Sequence, residues 1–343
     1  MIIANRSTSG SVRRSPVCGP GVLLALGLAA GACSIGEEPL GARGAAEMQG
    51  NSFTFAPPDG TRGVRTERRR YEIALVGTPL RDLEEEELRW NIAAHAPRGA
   101  NQPFTIDQEL THVTMKHDGE TFVDRDIQPG TVKAQLLVDR AGNLVDVRGL
   151  DDASKTLRSL VSPEQAPVAA RAFSTQNLEA LVATRYEETV GDVVGRPDKV
   201  GSSWTTQAEP GRAVVSRTVS VQSLEPCGGA TCARLRADYK LDPHILVALA
   251  GEIVRDYARW SGQAPSKMNT QAALYSVEGT LLTEPATMVN HNAALDESGK
   301  VLFAGPKRQM EIDLTGKTEI SFDYVRPVSS AAPSSSAAVV AQP

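Results

Sequence analysis

From Arg65 to Arg326 apolar residues recur at every second position, in runs separated by turn-forming residues. Period two puts alternate side chains on opposite faces of a strand, so this stretch must build a sheet with one face buried. Tyr71–Val76 reads as a strand, and Leu88, Trp90 and Ile92 alternate in the next run. The stretch Leu80–Glu87 between them reads either as strand or as a short helix. Its run Glu84–Glu87 reads as a solvated face. Leu110–Lys116 and Glu120–Ile127 flank His117-Asp118-Gly119, and Asp-Gly supplies the positive φ angles of a type I′ hairpin turn. Thr131–Val138 and Leu144–Val147 make a second hairpin around Asp139–Asn143. β-pattern returns at Trp204 and runs to Leu241. Ala272–Leu282, Thr287–Leu295, Val301–Phe303, Gln309–Leu314 and Glu319–Tyr324 follow, with turns expected at Asp296–Gly299 and Thr315–Lys317.

Helical signals interrupt the strands. Asp151 and Asp152 can cap a helix striped by Leu157, Leu160 and Val161. Ser162-Pro163-Glu164-Gln165 has the cap, the first-position proline and the capping-box Gln of a helix start. Leu178, Leu181 and Val182 give helical spacing before Gly195. Asp242-Pro243 opens a helix with Leu249, Ile253 and Tyr257 on one stripe and Leu246, Ala250 and Val254 beside it, stopped by Gly262. Its polar face mixes Glu252, Arg255, Asp256 and Arg259, which suits packing on a sheet better than lying on a membrane. Antiparallel meanders with helices between two groups of strands indicate an α+β fold. The expectation is a large curved antiparallel sheet with helices packed on one face. The spacing D-x-x-G-x-L/V at Asp139–Leu144 and Asp296–Val301 further suggests two related halves, 65–200 and 201–326.

The N-terminus reads as an export signal over residues 1–32. Arg6, Arg13 and Arg14 precede the apolar run Val22–Ala30, which is too short to span a bilayer. The following Ala30-Gly31-Ala32-Cys33 resembles a bacterial lipobox, which implies cleavage before Cys33 and lipid attached to it. Ser34, rather than Asp, then points to an outer-membrane lipoprotein facing the periplasm. Several acyl chains on one residue give stable membrane anchoring. Ordinary cleavage after the Ala30-x-Ala32 site, giving an exported soluble protein, is the alternative. Residues 33–64 read as a flexible tether, 65–326 as the α+β domain, and 327–343 as a disordered Ser/Ala/Pro tail. Loss of the signal takes 36 Lys+Arg to 33 against 41 Asp+Glu, a net charge of −8, which argues against nucleic acid as a partner.

Cys18 falls in the removed peptide. Cys227 and Cys232 remain, as C-G-G-A-T-C between alternating runs, and in an oxidising envelope they read as a disulfide stapling a hairpin. A redox-active pair is the alternative, but C-x-x-C spacing and a helix start are lacking.

Motifs for chemistry are scarce. Gly316-Lys317-Thr318 lacks the upstream glycine of a phosphate loop, and Gly201-Ser202-Ser203-Trp204 is no nucleophile elbow. Neither S-x-x-K nor H-E-x-x-H occurs. His95, His112, His117, His244 and His291 read as surface residues, so no catalytic, cofactor-binding or metal residues are assigned and no cofactor is expected. Val200-Gly201-Ser202-Ser203-Trp204 resembles an element of uncharacterised bacterial lipoproteins with a domain of unknown function. The resemblance covers Gln135–Leu241 and departs from that pattern at Ser202, where those proteins carry Asp. It implies no activity, and Trp204 itself reads as a core anchor. The resulting expectation is a lipid-anchored, non-enzymatic binding or structural module for an apolar ligand or an envelope protein partner. An envelope hydrolase with scattered His/Asp/Glu residues is the alternative.

Overall fold

The computed structural model describes residues 52–78, 81–100, 102–159, 170, 173–207, 214–260, 269–304 and 309–325. The signal segment, Cys33, the helix start at Ser162-Pro163, Gly262 and the 327–343 tail lie outside them. So do the side chains of Leu249, Ile253 and Tyr257.

Six strands come first: β1 (Arg62–Leu75), β2 (Arg81–His95), β3 (Phe104–His117), β4 (Glu120–Asp126), β5 (Lys133–Val138) and β6 (Leu144–Arg148). Helices α1 (Leu150–Ser159) and α2 (Thr175–Tyr186) follow, and α2 runs into a π-turn at Glu187–Gly191. Then come β7 (Ser203–Gln207), β8 (Val214–Cys227), β9 (Ala230–Leu241), helix α3 (Pro243–Trp260), β10 (Asn269–Thr283), β11 (Asn290–Ala304) and β12 (Gln309–Val325).

The twelve strands form one sheet in the order β6-β5-β3-β2-β1-β12-β11-β10-β9-β8-β7, with β4 paired to β3 beside this path. Every pairing is antiparallel. Two meanders are therefore joined through their first and last strands, β1 and β12, which pair from Arg62↔Val325 to Leu75↔Ile312. The fold is the expected α+β sheet with helices on one face.

Local chemistry explains the elements. Asp118 and Gly119 both take positive φ (48° and 83°) in the β3–β4 turn, as a type I′ hairpin needs. The Asp242 carboxylate accepts from the backbone N–H of His244 (2.8 Å) and Ile245 (3.3 Å), capping α3 as the Asp-Pro pair implies. Ser174 caps α2 by accepting from the Asn177 N–H at 3.3 Å. Asp151 and Asp152 sit in the first turn of α1 rather than before it. There they oppose the positive end of the helix dipole.

Of the two readings of Leu80–Glu87, strand holds in its described part, because β2 starts at Arg81. Two expectations are corrected. The Asp296–Gly299 and Thr315–Lys317 turns do not exist, because β11 and β12 run straight through them. Their glycines serve ring packing instead. A Cβ on Gly299 would stand 2.9 Å from the Tyr275 Cε2, and one on Gly316 2.6 Å from the Tyr71 ring. Glycine inside a strand often marks such close approach. The D-x-x-G-x-L/V echo is thus a hairpin turn at Asp139–Leu144 and straight strand at Asp296–Val301. Finally, the tether reading fails for residues 52–64. Phe53 and Phe55 are fully or nearly fully buried, and β1 already begins at Arg62. Phe55 packs edge-on against Phe104 at 5.1 Å, and Phe53 lies 6.3 Å from Trp204, the expected core anchor.

The core falls into separate apolar clusters on the helix-bearing face. One joins α2 to Phe53, Phe55, Leu136, Val219 and Leu235. A second puts Ala250 and Val254 of α3 over Val301, Phe303, Ile312 and Leu314. A third seats Ala153 of α1 on Leu110, Val113 and Val132.

Cys227 and Cys232 are bonded across the β8–β9 hairpin, Cα atoms 5.8 Å apart. Closing so short a loop contributes about 2 kcal/mol by chain entropy. The double variant Cys227→Ala/Cys232→Ala is expected to lower unfolding stability by about that amount. Urea denaturation of both proteins checks it, and an unchanged midpoint would count against the staple.

Candidate functional site

The period-two pattern of β1 continues inward as Arg65, Glu67, Arg69, Tyr71, Ile73 and Leu75. The outward set, Arg62, Val64, Arg68 and Arg70, is exposed. Charges on a buried face must be paired, and the register supplies the partners. β1 sets Arg65 opposite Trp90, Glu67 opposite Leu88 and Arg69 opposite Glu86 on β2.

Glu67 is almost completely buried and is the centre of the group. Its carboxylate accepts from Arg69 through Nε at 2.7 Å and through Nη2, and lies 3.5 Å from Arg65 Nη2. Arg69 also reaches Glu86 at 3.4 Å. Arg185 of α2, 3.3 Å from Glu188, adds a third cation to the field at Glu67. Burial alone would raise the Glu67 pKa, but Arg69, then Arg65 and Arg185, outweigh it and hold it down to about 2. Glu86 shifts the other way. Burial pushes its carboxyl up, and Arg69 offsets this only in part. Arg65 stands over the Trp90 ring at 5.0 Å, donates to Gln108 at 3.3 Å, and its pKa is lowered by burial first.

The belt continues across the sheet. The Tyr71 and Tyr275 hydroxyls both donate to one Glu297 oxygen, at 2.5 and 3.0 Å. Burial first, then the Glu297 charge, raises both phenols. Farther on, Arg217 donates to Asp192 at 3.3 Å and lies over Tyr239 at 5.6 Å.

Above this belt the sheet and the helices leave a cavity of about 290 Å³. Its walls come from β1, β2, β3, β5, β11 and β12 on the sheet and from α1 and α2 above. Leu88, Leu136, Val182, Phe173, Ile320 and Phe322 make it mainly apolar, Arg65, Glu67 and Arg69 form its polar floor, and Arg185 lines it from α2. The volume lies near the lower end of small-molecule pockets, about 300 Å³.

The histidines do not gather in this cavity. His95 faces Asp107 (3.3 Å), His112 faces Asp124 and Asp126 (3.1 and 2.8 Å), and His117 faces Asp82 and Asp118 (3.3 and 3.5 Å). His291 meets Glu284 at 2.8 Å, and His244 is exposed on α3. Among the described residues, groups with metal-ligand spacing are Asp82-His117-Asp118 and Cys227-Cys232-His291, each with a single histidine. The second contains the two expected disulfide cysteines, which are bonded to each other. Cys33 lies outside the described residues.

Sequence reasoning missed the cavity floor. The Glu84–Glu87 run is not a uniform solvated face: Glu84 is buried and Glu86 meets the inward Arg69 at 3.4 Å, while Glu85 and Glu87 pair with the outward Arg70 (3.5 Å) and Arg68 (2.8 Å). The available signal was Arg65-x-Glu67-x-Arg69-x-Tyr71-x-Ile73-x-Leu75, one alternating face passing from charged to apolar.

No family model matches the chain, and no curated protein matches it. A lipovitellin structure concerned with lipid–protein interactions aligns at TM-score 0.39 and 10% identity, covering 80% of this chain and 26% of that one. The chain thus spans about a quarter of the lipovitellin length. DynF, from the dynemicin biosynthesis pathway of Micromonospora chersina, aligns at TM-score 0.20 and 9% identity over 84% of this chain and 94% of its own. A β-barrel-like protein of a domain of unknown function from Brucella abortus gives TM-score 0.21 and 10% identity, over 80% and 100%. Such distant likenesses assign neither a family nor a ligand.

The buried carboxylate makes a stability prediction with a sign. Glu67 ionises near pH 2 in the folded chain against 4.5 for the free group, so its contribution is present above about pH 4.5 and is lost as pH falls toward 2. Glu67→Gln is expected to cost about 3 kcal/mol at pH 7, with the gap to wild type closing below about pH 4.5. Denaturation at pH 7, 4 and 2.5 checks it, and a gap independent of pH would contradict the ion-pair account.

Proposed function

We propose that this chain is a lipid-anchored cell-envelope binding module that takes an apolar ligand between its sheet and helices α1 and α2. The observation that carries the reading is the cavity itself, walled by Leu, Ile, Val and Phe side chains and closed below by paired charges. An apolar chain would lie along Leu88, Leu136 and Ile320, where transfer from water gains roughly 25 cal/mol per Å² of apolar surface. The charged floor would not take part in that burial, because Glu67 and Arg69 are already matched to each other. The exported location is supported by the signal-like segment and by the hairpin disulfide, which suits an oxidising compartment.

Two measurements test the parts separately. Val182 of α2 lines the cavity, and Val182→Trp should fill it. Binding of a fluorescent long-chain fatty acid is expected to weaken at least tenfold, about 1.4 kcal/mol, with the circular dichroism spectrum unchanged. Equal affinity in both proteins places the ligand elsewhere. For the anchor, labelled palmitate is expected on the wild type and absent from Cys33→Ser, which should leave the membrane fraction. A Cys33→Ser protein that is processed and floats like wild type removes the lipidation reading.

A further inference from the structure

Away from the cavity, the stapled hairpin sits against a third group. Cys227 and Cys232 are buried, and a ligand atom of His291, on β11, lies within 4.8 Å of both sulfurs. His291 is itself held from behind. Its Nε2 is 2.8 Å from Glu284 Oε1, and the other oxygen of Glu284 accepts from the Thr287 hydroxyl at 2.8 Å. Nε2 is thus the nitrogen engaged by Glu284, which leaves Nδ1 for another partner. The Nδ1 edge faces the cysteine loop: a Cβ on Gly228 would stand 3.0 Å from Cε1 and 3.6 Å from Nδ1.

A carboxylate holding the far nitrogen of an imidazole whose other edge lies beside two cysteines is the arrangement that supports zinc sites. We propose that reduction of the Cys227–Cys232 bond converts this group into a zinc site, with both thiolates and His291 Nδ1 as ligands and Glu284 orienting the ring. The four-residue spacing between the cysteines falls within the range found for structural zinc. Zn–S and Zn–N bonds of about 2.3 and 2.0 Å set ligand atoms about 3.5–4 Å apart, so on reduction the two sulfurs must part from bonding distance while the imidazole nitrogen, now within 4.8 Å of them, closes in. Gly228 and Gly229, both at positive φ (50° and 85°) and exposed, form the turn that would move and give the ion its way in. Three protein ligands leave the fourth position to water.

The chemistry balances simply. A small dithiol supplies two electrons and two protons, breaks the S–S bond and leaves as its own disulfide. Zinc then displaces the two thiol protons to solvent. In the oxidised chain the sulfurs are bonded to each other and the site is closed.

The test uses the full chain carrying Cys18→Ser and Cys33→Ser, so that its thiols are those of the hairpin. After dithiol reduction and removal of the reductant, one cobalt ion per chain is expected, with thiolate charge-transfer and tetrahedral d–d bands, displaced by zinc. The oxidised chain and the further Cys227→Ser/Cys232→Ser variant should take up none. His291→Ala and Glu284→Gln should each weaken zinc binding by about tenfold or more. Zinc-edge X-ray fine structure of the reduced parent chain, expected to show two sulfurs and an imidazole nitrogen, keeps His291 testable if its variant does not fold. A reduced chain without the charge-transfer band, a sulfur-only zinc shell, or full affinity in His291→Ala overturns the proposal.

Discussion

Glu67 lies between Arg65 and Arg69 on one strand, with Arg185 of α2 adding its field, and the inward face of the sheet is arranged around it. A carboxylate buried this deeply is tolerable only where cations outweigh its lost hydration. The register that sets Arg69 opposite Glu86 and Arg65 opposite Trp90 provides this. A slip of one residue would turn Glu67, Arg69 and Tyr71 outward and bring Arg68 and Arg70 in, with their partners Glu87 and Glu85 still facing out. The charged belt therefore does more to define the β1–β2 pairing than apolar alternation does. It also divides the face into apolar areas, one under α2 and one under α3, so that the cavity ends at a polar floor.

The same belt explains the two glycines that resemble turns. Glu297 accepts from Tyr71 on β1 and Tyr275 on β10, so the Tyr71 ring must cross β12 and the Tyr275 ring must lean along the adjacent β11 to reach it. Gly316 lies opposite both Tyr71 and Glu297, and Gly299 lies opposite Tyr275. Any side chain there would collide with a ring, and the phenol–carboxylate contacts would be lost. Glycine lowers the stability of a strand interior by about 0.5–1 kcal/mol relative to alanine. Two hydrogen bonds to a buried charge, about 1.5–3 kcal/mol each, offset that.

This is why the sequence was legible in some places and not in others. The hairpins at Asp118-Gly119 and Asp139–Asn143, the Asp242 cap and the cysteine staple depend on neighbours in sequence, and each was readable. Gly299 and Gly316 carry the same letters as turn glycines, but their role is set by Tyr275 and Tyr71, which lie far away in the chain or across another strand. Arg65, Glu67 and Arg69 were hidden for a related reason. Charged residues in alternation normally mark the wet face, and only the continuation into Ile73 and Leu75 on the same face shows that they point inward. Phe53-Thr54-Phe55 is three residues long, too short for a period, yet its two rings fill gaps beside Trp204 and Phe104.

The segment from Glu284 to His291 connects the two halves of the functional reading. Met288, Val289 and Asn290 line the cavity, while Glu284 and His291, at its ends, hold the group beside the disulfide. Met288 has a positive φ of 55°, a conformation that costs a residue with a Cβ on the order of 1 kcal/mol or more, and its buried side chain keeps it there. The Met288 N–H donates to the Glu284 carbonyl at 2.8 Å, and the Glu284 N–H to the Val289 carbonyl at 3.0 Å. The segment is thus closed on itself by two backbone hydrogen bonds. Were His291 drawn toward a metal, the shift would enter the segment through the Glu284 carboxylate and reach the cavity wall at Met288. Linkage would then work in both directions: any change in ligand affinity on metal binding must be matched by an equal change in metal affinity on ligand binding.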